Sequence, residues 1–212
     1  MTAVLAVAAA LVMGWFAVGS VWNVRRGSAA VRWFQQGLPL LAQKTTLRWL
    51  GTTSVELVLS GTKPPFESAT LVIFLEPRDV PWLWAIARRR GRRDTLILRA
   101  KTRHPPANDI EALVPGSWAA RDARRHMTSE PWPARVPAAS GELEVFANGE
   151  NALTFAAALL ELARDAGIKV QRLSVRRQYP NLRLHVDLPG PPMSAAHFFE
   201  TLRAIGERAM RP

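Results

Sequence analysis

His185 and Asp187 stand two residues apart where Leu182, Leu184, Val186 and Leu188 alternate with polar residues, so both project from one strand face. An imidazole beside a carboxylate is a pairing that proton transfer or a metal ion uses. On a half-buried strand the same alternation describes a solvated face, which is the expectation here. Glu76 and Asp79 flank a strand-to-helix corner, a common place for ligands, but Asp79 is accounted for as a helix N-cap. The sharpest constellation is of another kind. Val80, Pro81, Trp82, Leu83, Trp84, Ala85, Ile86 and Ala87 are followed at once by Arg88, Arg89, Arg90, Arg92 and Arg93. Indoles favour the headgroup zone of a bilayer, and each cation near an anionic leaflet adds about 1 kcal/mol. The competing expectation is a core helix with its tryptophans on a sheet and its arginines solvated at the negative helix end.

Reaction motifs are missing. There is no G-x-x-x-x-G-K-[ST], no G-x-G-x-x-G after a strand, no H-E-x-x-H and no G-x-S-x-G. The chain has no cysteine, which excludes disulfides, thiolate metal sites and a cysteine nucleophile and fits a reducing compartment. His104, His126, His185 and His197 are dispersed. The expectation is a protein that works by binding, with no catalytic residue, metal or cofactor.

Charge narrows the partner. Lys and Arg number 28 against 17 Asp and Glu, a net charge of +11, and Lys occurs only at Lys44, Lys63, Lys101 and Lys169. Biased codon supply explains Arg over Lys but not the surplus of cations, which attracts anionic lipid or nucleic acid. Arg172, Arg176, Arg177 and Arg183 belong to one predicted hairpin, yet no aromatic residue accompanies them on its strands for base stacking. Nucleic acid is therefore the less favoured partner.

The elements that must carry these groups begin with an apolar span. Positions 1–24 hold no charged side chain, and Arg25 and Arg26 follow. At ~1.5 Å per residue, positions 3–24 reach ~33 Å, enough for a hydrocarbon core ~30 Å thick. A cleaved signal peptide is the main competitor, with Ala17, Val18 and Gly19 resembling a small-x-small site. The run is longer than such peptides use and lacks a basic start, so an uncleaved single-pass anchor is expected. Arg25, Arg26 and Arg32 lie after the span, which orients the rest of the chain towards the cytoplasm. Ala6, Ala10 and Gly14 form a small-residue stripe at i+4, suited to a second transmembrane helix or a second copy.

Beyond the anchor (1–26), a juxtamembrane connection (27–44) is expected as an interfacial helix or a continuation of the span. Positions 45–103 read as β-β-β-α-β, with a hairpin turning at Gly51, Thr52 and Thr53 and a helix starting at Asp79. Positions 104–140 hold six prolines (Pro105, Pro106, Pro115, Pro131, Pro133 and Pro137) and read as a long crossing or linker, pinned by Trp118 or Trp132. Positions 141–212 read as β-α-β-β-α, with Asn151 and Ser194 as N-caps and Gly167 closing the first helix.

That last order resembles a ferredoxin-like or ACT-like unit without its final strand, over about 70 residues, and the resemblance is of topology alone. It implies an open edge, filled by a strand of the first half or by a second copy. The fold class expected is α+β, a transmembrane helix followed by a mixed or antiparallel sheet. The function expected is that of an accessory or scaffold subunit of a membrane-associated complex, touching lipid and a membrane-protein partner. The alternative is a membrane-tethered sensor whose ACT-like unit takes a small ligand, near Asn148 and Gly149, or dimerises.

Overall fold

A computed structural model describes residues 1–127, 134–137, 143–148 and 151–210. Helix α1 runs from Thr2–Gln35 without a break, so the anchor and the first part of the connection are one helix. It is long and apolar enough to cross a membrane, and only 6% of its most apolar window is buried, unlike a core helix. A short 3-10 turn at Leu38–Leu40 leads into β1 (Ala42–Trp49), which pairs with β2 (Ser54–Thr62) through the expected turn. Then follow β3 (Phe66–Phe74), α2 (Pro81–Arg89), β4 (Thr95–Thr102), β5 (Asp109–Leu113), α3 (Trp118–Met127) and β6 (Ala134–Pro137). The chain ends with β7 (Glu144–Asn148), α4 (Ala152–Asp165), β8 (Val170–Val175), β9 (Leu182–Asp187) and α5 (Ala195–Ala209).

The strands form one antiparallel sheet in the order β1-β2-β3-β4-β9-β8-β5-β7-β6. β9 pairs with β4, Leu96 opposite Val186 and Leu98 opposite Leu184, which joins the two halves in one sheet. The interior of the second half differs from the resemblance. β5 is antiparallel to both β7 and β8, so the parallel pair β7-α4-β8 is split by a strand from earlier in the chain rather than by β9. The element order is β-α-β-β-α, but the middle of the sheet belongs to β5.

Positions 104–140, expected as a linker, thus contribute a central strand, a helix and an edge strand. Between Asn108 and Pro115, Ile110, Ala112 and Leu113 are fully buried, because β5 has strands on both sides and helices on both faces. Trp132 and Gly149 lie outside the described residues, as does the Trp118 side chain.

One face of the sheet carries the main core, built from Leu57, Leu71, Ile73, Leu96, Leu98 and Leu184 under α4, α5 and the last turns of α1. Phe34 of α1 joins Phe198 and Phe199 of α5 with ring centroids 5.3–6.4 Å apart, and all three are fully buried. Each such side chain contributes roughly 1.5–3 kcal/mol, so the end of α1 is part of the domain. Trp33 adds a bond from Nε1 to the Met193 carbonyl at 3.3 Å. The other face is only partly covered. α3 packs over Leu113 and Phe146, while no residue of α2 is buried.

Two expected side-chain capping bonds are not made, although Asn151 does occupy the N-cap position of α4. α2 starts at Pro81 with Val80 as its N-cap, and Asp79 instead accepts the Thr52 hydroxyl at 2.8 Å, which ties the β1–β2 turn to the corner before α2. Asn151 adopts φ 61° and its side chain caps nothing. Ser194 does cap α5, accepting from the His197 N–H at 3.1 Å.

Candidate functional site

The corner where α1 meets the segment before α2 is a polar network set against an apolar helix. Gly19, Asn23 and Gly27 recur at i+4 and form the start of the buried stripe of α1. A Cβ at Gly19 would lie 2.2 Å from the Arg78 carbonyl oxygen, so only glycine admits this approach. Trp15 Nε1 donates to that carbonyl at 2.9 Å. The Arg78 guanidinium grips Asp94 through two bonds, of 2.9 and 3.1 Å, and donates to Asn23 Oδ1 at 3.2 Å. Asp94 also accepts the Glu76 N–H at 2.8 Å and Arg26 Nε at 3.2 Å. Glu76 accepts Trp84 Nε1 and lies 3.5 Å from Arg88. Trp84 sits 6.4 Å from both Trp15 and Trp22, with Arg78 over the Trp22 ring and Arg88 over the Trp84 ring. Buried charges persist when paired and hydrogen-bonded, and here three guanidiniums surround two carboxylates.

On another face of α2 the sheet is left open. A groove of about 920 Å³ runs between α2 and α3, floored by β4, β9 and β8. Leu83, Ile86 and Phe74 form an apolar wall, while Arg90, Arg92, Arg93, Arg99, Arg121 and Arg183 supply cations. Among the described residues Asp187 is the only acidic one lining the groove, and it accepts Gln171 Nε2 at 2.8 Å. His185 forms the floor and is 3% exposed, which corrects the expected solvated face: the sheet lies beneath a cleft walled by two helices. Burial, and after it the positive charges of Arg172, Arg183 and Arg99, lower its pKa from 6.5 to about 3, so the imidazole is neutral at ordinary pH.

The arginine run is therefore not one flat surface. Arg88 turns back to Glu76 and Trp84, Arg93 caps the end of α2 through the Arg88 and Arg92 carbonyls, and Arg90 and Arg92 face the groove with it. Arg89 is exposed, as are Arg25 and Arg32, while Arg26 is drawn to Asp94. Trp82 is 55% exposed and Trp84 packs on α1, so neither indole lies on the sheet. Ala6, Ala10 and Gly14 are exposed, and at 100° per residue their stripe lies about 140° around α1 from the domain-facing one.

Asn23, Arg78 and Asp94 were not singled out from sequence, nor were Arg99 and Arg121. The one legible signal was Asn23 itself, a polar amide within an uncharged span, which in such a helix marks a pairing position. Among the described residues, no group of three or more His, Asp or Glu side chains is placed to hold a metal. No protein-family model matches the chain, and no curated protein matches it.

Proposed function

We propose that this chain is a single-pass membrane protein whose basic α+β domain lies in the cytoplasm and acts by binding, as an accessory or scaffold subunit of a membrane-associated complex. The observation that carries the reading is the network of Asn23, Arg78 and Asp94, which fastens the domain to the apolar helix itself rather than to a flexible stalk. Cleavage near Gly19 would separate Trp15 from its bond to Arg78, so these contacts support an uncleaved anchor. A span of ~20 residues from Ala3 ends near Trp22, so α2 meets α1 within the last ~10 Å of the hydrocarbon. That is the depth at which an amphipathic helix rests, about 5–10 Å into the headgroup boundary, with Trp15, Trp22, Trp82 and Trp84 at that level. The stripe of Ala6, Ala10 and Gly14 points away from the domain and is open to a partner helix.

Photo-crosslinkers placed at Ala10 and Trp82 in native membranes test this. Ala10 is expected to capture a transmembrane protein and Trp82 to capture lipid. Recovery of lipid alone at Ala10 would sink the scaffold reading. A C-terminal reporter that works only outside the cytoplasm is expected to stay silent. The groove favours a second reading, a tethered sensor that takes its ligand between α2 and α3 rather than in an ACT-like turn.

A further inference from the structure

We propose that the groove between α2 and α3 is a binding site for a phosphate-bearing small ligand, with its phosphate held by Arg92, Arg99 and Arg121 and an apolar portion laid against Leu83 and Ile86. The proposal rests on the groove alone and holds for a scaffold or a sensor. Its size suits a small molecule or a single lipid headgroup, since ligand pockets commonly run from about 300 to 1,000 Å³. Among the described residues the charge is one-sided, six arginines lining the groove with one carboxylate, and that carboxylate is already engaged by Gln171.

The same chain pairs its arginines wherever they are buried, as at Arg78 with Asp94 and Arg172 with Glu111. Among the described residues, by contrast, the side chains of Arg90, Arg92, Arg99 and Arg121 make no ion pair or hydrogen bond. Clustered unpaired guanidiniums repel one another and present planar forks that match phosphate oxygens. A phosphate monoester carries about two negative charges and so answers such a cluster better than a single carboxylate. Among the described lining residues the aromatic rings are the wall residue Phe74 and the 3% exposed imidazole of His185, so the floor offers no row of exposed rings for the stacking that single-stranded nucleic acid uses. The apolar wall beside the cations matches an amphiphile, and α2 carries that wall on one side while touching α1 on another.

The full chain in maltoside micelles, a detergent without phosphate, can be titrated calorimetrically with dihexanoyl phosphatidic acid, inorganic phosphate and dihexanoylglycerol. Phosphatidic acid is expected to bind and dihexanoylglycerol not to. Arg92→Gln with Arg99→Gln should weaken binding at least tenfold with the melting temperature retained. Arg164→Gln, which removes one exposed charge from α4, should leave it unchanged. Binding of phosphatidic acid alone identifies a lipid headgroup as the source, and equal binding of inorganic phosphate identifies a soluble phosphate compound. The proposal is overturned if no phosphate probe binds at millimolar concentration, if the Arg164→Gln variant loses as much as the groove variant, or if single-stranded RNA displaces the bound phosphate and binds more tightly.

Discussion

The two sides of the nine-residue helix α2 border arginines in opposite circumstances. On the α1 side, Arg78, Arg26 and Arg88 surround Asp94 and Glu76, and Arg78 is almost fully buried. On the groove side, Arg90, Arg92 and Arg99 are exposed around a floor with one acid among the described residues. Desolvating a guanidinium is costly unless a carboxylate and further acceptors compensate, so the first cluster is an internal joint. Leaving cations exposed costs little but keeps a positive field, so the second is suited to receive an anion. Residue type alone does not separate the two. The difference is where the acids are.

The comparison can be broken at either side, and the largest effect is expected at the joint. Asp94→Ala leaves the Arg78 guanidinium buried without its bidentate partner, and a loss of about 3–5 kcal/mol is expected in denaturant unfolding. A loss below about 1 kcal/mol would mean that water solvates Arg78 and that the joint is not one.

The groove floor should show itself next, through pH. His185 has a folded pKa of about 3 against 6.5 for the free side chain, so the unfolded chain takes up the proton first. Stability then falls with decreasing pH from 6.5 towards 3, by about 2 kcal/mol between 6.5 and 4.5. The carboxylates of the joint are common to wild type and variant, so His185→Gln should flatten this part of the profile relative to wild type. Identical profiles would remove His185 from the account.

Gly19→Val drives a side chain into the Arg78 backbone, with about 1–3 kcal/mol of overpacking expected. Limited proteolysis should then open the 76–80 segment. Unchanged protection would show that α1 and the corner are not in contact. The smallest effect belongs to Arg99→Gln, where removal of an exposed cation should change stability by no more than about 0.5 kcal/mol. A larger loss would place Arg99 with the joint rather than with the groove.

Much of this molecule was legible in local pattern. The apolar span, the hairpin around Gly51, the strand at Leu71 and Ile73, and the last helix with Phe198, Phe199 and Leu202 declared themselves by period and by turn residues. β5 did not, because a five-residue strand buried on both faces has no alternation, and its prolines lie just outside it. Its signal was only Ile110 and the three apolar residues from Ala112 to Val114, interrupted by Glu111. The arginines after Trp84 were legible as a cluster, but their division among joint, helix end and groove depended on which face of α2 met which neighbour.

The sequence by itself determined that an uncharged segment long enough for a bilayer precedes a basic α+β chain without cysteine, because hydropathy, period and charge are properties of residue order. Only the tertiary structure decided that Asn23 and Gly19 bind the corner before α2, that β5 enters the middle of the sheet, and that Arg92, Arg99 and Arg121 share one groove. Those facts join residues that lie far apart in the chain. Burial, desolvation and charge pairing act on such neighbours in space, and neighbours in space exist only once the sheet has formed.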